Sequence, residues 1–326
     1  MKNKAILITG GAGYIGSHLA HQLLKKNSKT ILVIIDNLST GSLKNLPKSK
    51  NIIFIKSCIS NFKSVKKIFQ KFDIKDIYHL ASSIKASESN KKSYFYCKNN
   101  ISHSMSFLNY VKDFKFENLV FSSSAAVYGN TTNNYKILEI NKCMPINIYG
   151  SNKKIMENFI MDHSRIFNYR YCFLRYFNIV GSNFNIKRYN FNQSLFDLNS
   201  KAIINQSRYN IYGSSFLTKD GTAVRDYIHI SDIVDIHIKA MRYIKNNKVS
   251  DIFNCGYGNG FTVLEICNQF NKVFKKDLKI NFLNPREGDP GCVIANANKL
   301  KKKLDWKPKF DNLNSMIMSH FNLYDK

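Results

Sequence analysis

The sequence predicts an α/β protein with a Rossmann-like, doubly wound parallel sheet and a smaller C-terminal α/β domain. Two observations support this prediction. Short apolar runs alternate with helix-length segments along the first half of the chain, which is the pattern of βαβ units in a parallel sheet. The first apolar run leads directly into a glycine-rich loop. A glycine-rich loop between a strand and a helix is typical of nucleotide-binding sheets.

The glycine-rich loop joins a predicted strand at 4–9 to a helix that runs to about residue 26. Glycines at 10, 11, 13 and 16 allow a tight turn, backbone approach to a pyrophosphate and close helix packing. The helix N-terminus offers free N–H groups to the phosphates. The next strand, at 30–35, ends in Asp36, which follows Gly16 by 20 residues. A carboxylate there accepts hydrogen bonds from the ribose hydroxyls and repels a 2′-phosphate. Asp36 therefore predicts that the cofactor is NAD and not NADP.

The alternation of strands and helices continues to about residue 177. Further strands are predicted at 52–56, 77–81, 118–123 and 171–176, and helices at 62–72, 93–113 and 149–168. Beyond this the pattern weakens, with an irregular stretch at 182–215, a short strand at 211–213 and helices at 231–245 and 262–275. We expect an NAD-binding domain at 1–177 and a substrate-binding domain at 178–326, with segments near 225–255 free to pack back on the first. The cleft between them should lie at the carboxyl ends of the strands.

Three side chains, Ser124, Tyr149 and Lys153, predict redox chemistry on an alcohol without a metal. Tyr149 and Lys153 stand four residues apart on a predicted helix and so share one face, and Ser124 ends a predicted strand. A neighbouring ammonium, together with a positively charged nicotinamide, would lower a phenol pKa that is about 10 in free tyrosine. The alternative is a surface pair, since Tyr94 and Lys98 have the same spacing. The order behind a nucleotide loop and a serine-tipped strand favours the catalytic interpretation.

Composition fits a soluble enzyme. The 326 residues contain no apolar run of 18 or more, so no membrane span is predicted. The chain also enters strand residues almost at once, which leaves no room for a signal peptide. Seven scattered cysteines and eight histidines form no metal motif, and they predict free thiols in the cytoplasm and no metal. The net charge of +27 would suit nucleic acid, but the spread lysines lack any nucleic-acid motif. We expect the charge to attract an anionic ligand at most.

A series of sequence blocks, in order along almost the whole chain, carries a family resemblance. The blocks are Gly10–His18, Asp36–Gly41, His79–Ala81, Ser122–Gly129, Tyr149–Lys153, Arg175–Asn178, Asp220–His229 and Arg286–Asp289. On these residues the chain resembles the extended short-chain dehydrogenase/reductases and, within them, the UDP-glucose 4-epimerases. Each block is moderately specific, and their shared order makes the resemblance strong.

The resemblance implies a bound NAD and a UDP-hexose substrate. Tyr149 would be the catalytic base, with Ser124 and Lys153 as its partners. Besides Tyr149 and Lys153, NAD contacts are implied at Gly10, Gly13, Tyr14, Ile15, Gly16, Asp36, Asn37, Leu38, Ser39, Thr40, Gly41, Cys58, Ile59, Leu80, Ala81, Lys85, Asn99 and Phe177. Substrate contacts are implied at Ser124, Asn178, Ser194, Tyr212, Arg225, Arg286 and Asp289. Taken singly, several of these residues also have structural interpretations. Tyr212 would be a core residue, Asn178 a turn residue, and Arg225 or Arg286 a surface ion-pair partner of Asp226 or Glu287.

The implied reaction is the interconversion of UDP-glucose and UDP-galactose by transient oxidation at C4 of the hexose. Related 4,6-dehydratases carry an acid pair after the serine-tipped strand, where this chain has Ala125 and Ala126. Elimination therefore lacks its acid and base. Two alternative sugars stay open, the UDP-N-acetylhexosamines and UDP-glucuronate. A non-catalytic NAD-binding regulator is a further alternative, which the intact catalytic trio disfavours.

Some positions depart from the family pattern or bear on the sugar. Cys58 stands where an aspartate usually contacts the adenine, Ser194 replaces a more usual Asn or His, and Lys85 is aligned only to within one residue. Four positions after Asp289 comes Val293, where relatives place a residue beside the C2 substituent of the sugar. Valine is small, so we expect a pocket with room for an acetamido group.

A homodimer is also implied, through the helices predicted at 93–113 and 149–168. The second helix carries apolar side chains that a monomer would expose at a cost. They are Ile155, Phe159, Ile160 and Phe167. The alternative is that these side chains face the sheet.

Overall fold

The computed structural model describes residues 2–130, 136–184, 186, 194–286 and 289–324. The strands, in chain order, are β1 Asn3–Thr9, β2 Ile31–Asp36, β3 Ile52–Lys56, β4 Phe72–His79, β5 Asn118–Ser124, β6 Arg170–Tyr176, β7 Asn178–Val180, β8 Tyr209–Tyr212, β9 Val224–His229, β10 Asp251–Cys255, β11 Gly260–Thr262, β12 Ile280–Leu283 and β13 Cys292–Val293. The helices are α1 Tyr14–Lys26, α2 Phe62–Lys71, α3 Ala86–Ser89, α4 Ser93–Cys97, α5 His103–Val111, α6 Ile148–Phe167, α7 Leu195–Asn205, α8 Ile230–Asn247, α9 Val263–Phe274, α10 Asn298–Lys303 and α11 Leu313–Phe321.

Seven strands form one all-parallel sheet in the order β10-β6-β5-β4-β1-β2-β3. The order runs outward from β1 in both directions, so the predicted doubly wound fold is confirmed. Successive side chains point to opposite faces of a strand. Leu7 accordingly belongs to one buried cluster and Ile8 to the other. Because both faces are covered, the strands consist of nearly continuous apolar runs.

Helices cover both faces of this sheet. Buried side chains of α1 and α8 pack in one cluster, and those of α2, α5 and α6 in the other. Helix α8 and strand β10 come from beyond residue 177, and β10 pairs with β6 at one edge of the sheet. The chain therefore returns to its first sheet after leaving it. In the described residues no helix is long and apolar enough to cross a membrane.

The smaller C-terminal part is built around β9, which pairs with β7, β11 and β13, while β8 and β12 form a separate parallel pair. Much of the stretch at 182–215 is regular, contrary to expectation, because α7 lies within it. Residues 185 and 187–193 of this stretch lie outside the described residues. Helix α7 begins at a capping box in which Ser194 and Asp197 bond each other's backbone N–H groups.

The helix predicted at 93–113 is interrupted. Helix α4 passes into a π-helical turn at Lys98–Ser102 before α5 begins. The turn presents Asn99 to a cavity at the carboxyl ends of the sheet strands. The Asn100 side chain accepts a hydrogen bond of 2.8 Å from the Ser83 N–H. Such π-helical turns occur frequently at functional sites. Hydrophobic periodicity does not reveal them, because they change the register by only one residue.

Candidate active site

A cavity of about 370 Å³, called the main cavity below, opens at the carboxyl ends of β1, β2, β4, β5 and β6. Most residues of the implied NAD set line it, namely Gly10, Gly13, Tyr14, Ile15, Gly16, Asp36, Asn37, Ser39, Thr40, Cys58, Ile59, Leu80, Ala81, Asn99, Tyr149, Lys153 and Phe177. Ser124 and Asn178 line the same cavity. Leu38, Gly41 and Lys85 are not among its lining residues. The topology therefore brings most of the predicted nucleotide and catalytic residues together.

The glycine-rich loop leaves no room for side chains. Gly10 has a φ of +68°, and a Cβ there would lie 2.7 Å from the Ala81 backbone. A Cβ on Gly16 would lie 2.5 Å from the Cα of Gly11. Gly13 caps α1 without a side-chain hydrogen bond, so the helix presents its first N–H groups without a competing acceptor from the cap residue. The loop therefore fits a dinucleotide diphosphate.

Asp36 anchors the loop that follows β2. Its Oδ2 accepts a hydrogen bond of 3.0 Å from the Ala12 N–H, and its Oδ1 accepts one of 2.7 Å from the Leu38 N–H. Burial raises the pKa of Asp36, and these two donors partly offset the shift. Leu38 has a φ of +60°, and a Cβ on Gly41 would lie 2.7 Å from the Ala12 carbonyl carbon. Leu38 and Gly41 thus shape the loop that places Asn37, Ser39 and Thr40 at the cavity.

Cys58 lies at the end of the cavity beside Asp36. A thiol therefore stands where the family pattern has an aspartate. Its Sγ lies 3.4 Å from Nδ1 of His103 and accepts a hydrogen bond of 3.1 Å from the Ser60 hydroxyl. The neighbouring Ser57 also lines this end. Other lining residues were not predicted from the sequence, among them Ser57, Ser82, Ser83, Ser122, Tyr176 and Ile179. Their signal was available, because each lies within a few residues of a strand end that was already assigned to the cavity.

Local packing at the start of α6 fixes Tyr149 beside Ser124. The N-cap Asn147 accepts a hydrogen bond of 2.8 Å from the Gly150 N–H, and the Tyr149 N–H donates one of 3.1 Å to the Ser89 hydroxyl. A Cβ on Gly150 would lie only 2.3 Å from the Ala126 carbonyl oxygen. Glycine therefore lets α6 approach the turn that follows Ser124. As a result, the Tyr149 phenol reaches the Ser124 side chain by a hydrogen bond.

The electrostatics of the trio differ from the sequence-based expectation. Burial raises the pKa of Tyr149 to about 12, and the hydrogen bond to Ser124 only partly offsets this rise. The Lys153 Nζ donates a hydrogen bond of 2.7 Å to the Ser122 carbonyl and lies 5.8 Å from the Tyr149 ring centroid. Burial lowers the pKa of Lys153 to about 7, while nearby Glu157 opposes this shift. The lowering expected from Lys153 and a bound nicotinamide together is therefore not seen for these side chains alone, because burial dominates the pKa of Tyr149.

The implied diphosphate and uridine residues form two pairs apart from the main cavity. Arg225 makes an ion pair with Asp289, and the Arg286 guanidinium stacks 4.0 Å from the Tyr212 ring centroid. The alternative pairing of Arg225 with Asp226 does not occur, because the buried Asp226 accepts three backbone N–H groups instead. The alternative partner of Arg286, Glu287, lies outside the described residues.

Ser194 is committed to the start of α7. Its hydroxyl donates a hydrogen bond of 2.6 Å to Oδ2 of Asp197, and its oxygen accepts one from the Asp197 N–H. Ser194 does not line the main cavity. The structure therefore favours a capping role for Ser194 over the implied substrate contact. No group of three metal-ligating side chains occurs among the described residues.

Comparison with known proteins gives the family. The model of the NAD dependent epimerase/dehydratase family matches residues 6–256. A UDP-glucose 4-epimerase of Lactobacillus helveticus is 35% identical over 317 residues, 96% of this chain and 94% of that protein. A crystal structure of a UDP-glucose 4-epimerase has a TM-score of 0.92 at 31% identity, covering 98% of this chain and 97% of the other. The UDP-Glc/GlcNAc 4-epimerase from Campylobacter jejuni has a TM-score of 0.85 at 34% identity, covering 98% and 99%. This chain belongs to the NAD dependent epimerase/dehydratase family, among the UDP-glucose 4-epimerases.

Proposed function

We propose that this protein interconverts UDP-glucose and UDP-galactose by transient oxidation at C4 of the hexose. The observation that carries the proposal is the placement of Ser124, Tyr149 and Lys153 in one cavity with most of the implied NAD-binding residues. The turn after Ser124 carries Ala125 and Ala126 and so lacks the acid pair that elimination requires. Oxidation at C4 and re-reduction remain as the chemistry that this set of side chains can perform.

Each side chain of the trio has a definite part in this mechanism. Tyr149 accepts the proton of the 4-hydroxyl during oxidation and returns it during reduction. Ser124 donates a hydrogen bond to the reacting oxygen and keeps it within reach of the phenol. When bound, oxidised NAD supplies the hydride acceptor, and its positive ring adds to the Lys153 charge in favouring the phenolate. Tyr149 and Lys153 are buried and Ser124 is half-buried, so access of water to the reacting oxygen is restricted.

We assign the recognition of the nucleotide sugar to side chains of the C-terminal part. Arg225 and Arg286 would bind the diphosphate, because guanidinium groups match phosphate oxygens bidentately. Asp289 would accept the uridine ribose hydroxyls, and Tyr212 would lie beside the uracil. Asn178 extends this set towards the catalytic cavity, which it lines. Arg225 and Asp289 are held next to each other, because β13 pairs with β9 at Val293 and Arg225 and the two side chains form an ion pair.

Purified protein incubated with UDP-glucose or UDP-galactose, without added NAD, tests the proposed reaction. We expect either sugar to yield a mixture of both, because a cofactor that is regenerated in each cycle need not leave. The UDP-N-acetylhexosamines and UDP-glucuronate serve as parallel substrates. If only these sugars are turned over, they would replace the plain hexoses as the proposed substrate. If no sugar is turned over, the proposed epimerase activity would be contradicted.

We further propose a division of the chain at residue 177, with an NAD-binding domain at 1–177 and a substrate-binding domain at 178–326. The return of α8 and β10 to the first sheet makes this a division by function, since the sheet itself draws on both parts. The scattered free cysteines and the NAD chemistry suit the cytoplasm, which we propose as its location.

We also propose a homodimer formed through the α4–α5 segment and α6. Ile160 faces the sheet and is fully buried, so its expected place in the interface is wrong. Phe159 and Phe167 pack partly against the same core. Ile155 is 44% exposed, and α4 adds Tyr94 and Phe95, which are 77% and 54% exposed. This apolar surface is the support for the interface.

Light scattering at micromolar concentration should give a dimer for the wild type. Ile155→Lys combined with Phe95→Lys should shift it to monomer, because burying two unpaired charges opposes association. Leu217→Lys is the matched control, since Leu217 is 94% exposed and lies outside these helices. A wild-type protein that is monomeric throughout would contradict the interface.

Asp36→Ala should weaken NAD binding by about 10- to 100-fold, because it removes a carboxylate that accepts the ribose hydroxyls. Binding of UDP should change little, since we assign UDP to the C-terminal part. Isothermal titration of nucleotide-free protein with each ligand measures both effects. Asp76→Ala is the control, because it removes a buried carboxylate that bonds Asn118 and Lys245 outside the cavity. Equal weakening of NAD and UDP would mean that Asp36 mainly supports the fold.

A further inference from the structure

A buried ion pair lies directly behind the catalytic trio. The Arg175 guanidinium binds Glu157 through two hydrogen bonds, from Nε at 2.9 Å and from Nη2 at 2.7 Å. Both side chains are almost completely buried. Two parallel hydrogen bonds fix the relative orientation of the two groups. Removing one partner of such a pair leaves an uncompensated buried charge. The pair is therefore a rigid element of the site.

One side of this pair reaches the catalytic residues. The Ser123 hydroxyl donates a hydrogen bond of 2.6 Å to Oε1 of Glu157, and Ser123 directly precedes Ser124. Glu157 follows Lys153 by one helical turn, so both lie on the same face of α6. The negative charge of Glu157 opposes the burial that lowers the pKa of Lys153. Glu157 thus contacts the catalytic strand and supports the protonated form of Lys153.

The other side of the pair reaches across to a different segment. Nη1 of Arg175 donates a hydrogen bond of 2.8 Å to the Tyr128 hydroxyl, which in turn donates one of 2.7 Å to Oδ1 of Asn254. Nδ2 of Asn254 donates a hydrogen bond of 2.8 Å to the Ile137 carbonyl. All of these side chains are buried, so water competes little for the hydrogen bonds.

Ile137 connects this chain of hydrogen bonds to the substrate side. Its N–H donates to the Ile294 carbonyl and its carbonyl accepts from the Asn296 N–H, each at 2.8 Å. Residue 294 directly follows β13, whose Val293 pairs with Arg225 of β9. A continuous hydrogen-bonded path therefore runs from Ser123 to the residue that follows β13. Strand β13 pairs with β9, which carries Arg225, the proposed diphosphate-binding residue.

We propose that Glu157 and Arg175 are positioning residues that hold Lys153 and Ser124 in place and, through Tyr128, join them to the substrate-binding strands. The proposal rests on the proposed epimerase function. Neither residue lines the main cavity, so each acts through its neighbours. The Glu157 arm maintains the charge of Lys153 that favours the phenolate. The Tyr128 arm holds the substrate-binding strands in register with the catalytic groups, so its loss should weaken binding of the UDP-sugar.

The two arms predict different kinetic effects in two near-isosteric variants. In Glu157→Gln the negative charge that supports protonated Lys153 is lost, so Lys153 loses its proton at a lower pH. The basic limb of the kcat–pH profile should move down by about one pH unit, with a loss of about tenfold in kcat above it. The KM should change little. In Tyr128→Phe the link to Asn254 is lost while the charges remain, so the KM for the UDP-sugar should rise about tenfold with an unmoved pH profile.

Wild type and Glu117→Gln are assayed in parallel. Glu117→Gln is the matched control, because Glu117 is half exposed and pairs with Lys75 and Arg170 on the surface. Thermal unfolding shows whether each variant folds. If Glu157→Gln fails to fold, Tyr128→Phe still tests the proposal. An inactive wild type would contradict the proposed function. An active wild type, with folded variants that match it in pH profile and KM, would overturn the positioning role alone.

Discussion

Tyr149→Phe should reduce epimerisation by about 10²–10⁴-fold, the usual contribution of a positioned general base. The substitution removes only the phenolic oxygen, which hydrogen-bonds Ser124 and would accept the C4 hydroxyl proton. The ring remains, so the packing at the start of α6 is preserved. Conversion of UDP-galactose to UDP-glucose, followed by chromatography of the nucleotide sugars, measures the loss. Tyr149 is the only phenol in the trio, so neither Ser124 nor Lys153 provides a phenolic oxygen in its place.

Two controls separate lost chemistry from lost structure in this variant. The amount of bound NAD should be unchanged, because the Gly10–Gly16 loop and Asp36 are untouched. Tyr94→Phe is the matched substitution, since Tyr94 has a lysine at the same spacing but is largely exposed on α4. It should be as active as the wild type. Near-normal turnover by Tyr149→Phe would refute the proposed mechanism.

Val293→Tyr should abolish turnover of UDP-N-acetylglucosamine while sparing UDP-glucose. We propose that Val293 lies beside the C2 substituent and that its small size admits an acetamido group, so the wild type should accept both sugars. A tyrosine would fill that space and exclude the larger substituent. The kcat/KM for the acetylated sugar relative to UDP-glucose should fall by at least about 200-fold, the upper end of the range for a change of pocket size.

The position of Val293 demands a stability control. Its side chain is 9% exposed and packs in a small cluster with Tyr128 and Phe177, and Phe177 lines the main cavity. A larger side chain there risks overpacking, which destabilises by about 1–3 kcal/mol. Val293→Leu adds bulk without a ring and should keep both substrates. Retained UDP-glucose activity shows that Val293→Tyr is folded. A wild type that rejects UDP-N-acetylglucosamine would refute the argument from pocket size.

The sequence by itself determined the nucleotide-binding end and the order of the catalytic groups. The loop at Gly10–Gly16, the carboxylate at Asp36 and the spacing of Tyr149 and Lys153 are all short-range patterns. Their structural consequences follow from one strand–turn–helix unit or one helix face. The regular alternation of strands and helices is equally local, and it leaves few possible topologies. For these reasons the fold class and most of the residues lining the main cavity could be predicted.

Other features depend on which distant segments meet, and short-range patterns do not encode this. The sequence left open whether segments near 225–255 pack back on the first domain, and in the structure α8 packs there and β10 joins the sheet beside β6. Ser194 has the spacing of an N-cap with Asp197, but the family resemblance implies a substrate contact at this position, and the structure shows a capping box instead. The separation of Arg225–Asp289 from the main cavity likewise emerged only from the tertiary arrangement.

Tertiary structure also decided the electrostatics of the site. From the sequence, Lys153 should lower the pKa of Tyr149, since only the attraction of neighbouring charges was counted. The structure buries both groups and raises the pKa of Tyr149 to about 12, because desolvation of a phenolate grows with the depth of the surrounding protein. The Glu157–Arg175 pair joins residues 18 positions apart on a helix and a strand. Burial and such cross-element contacts are properties of the folded chain, and so they were decided only by the tertiary structure.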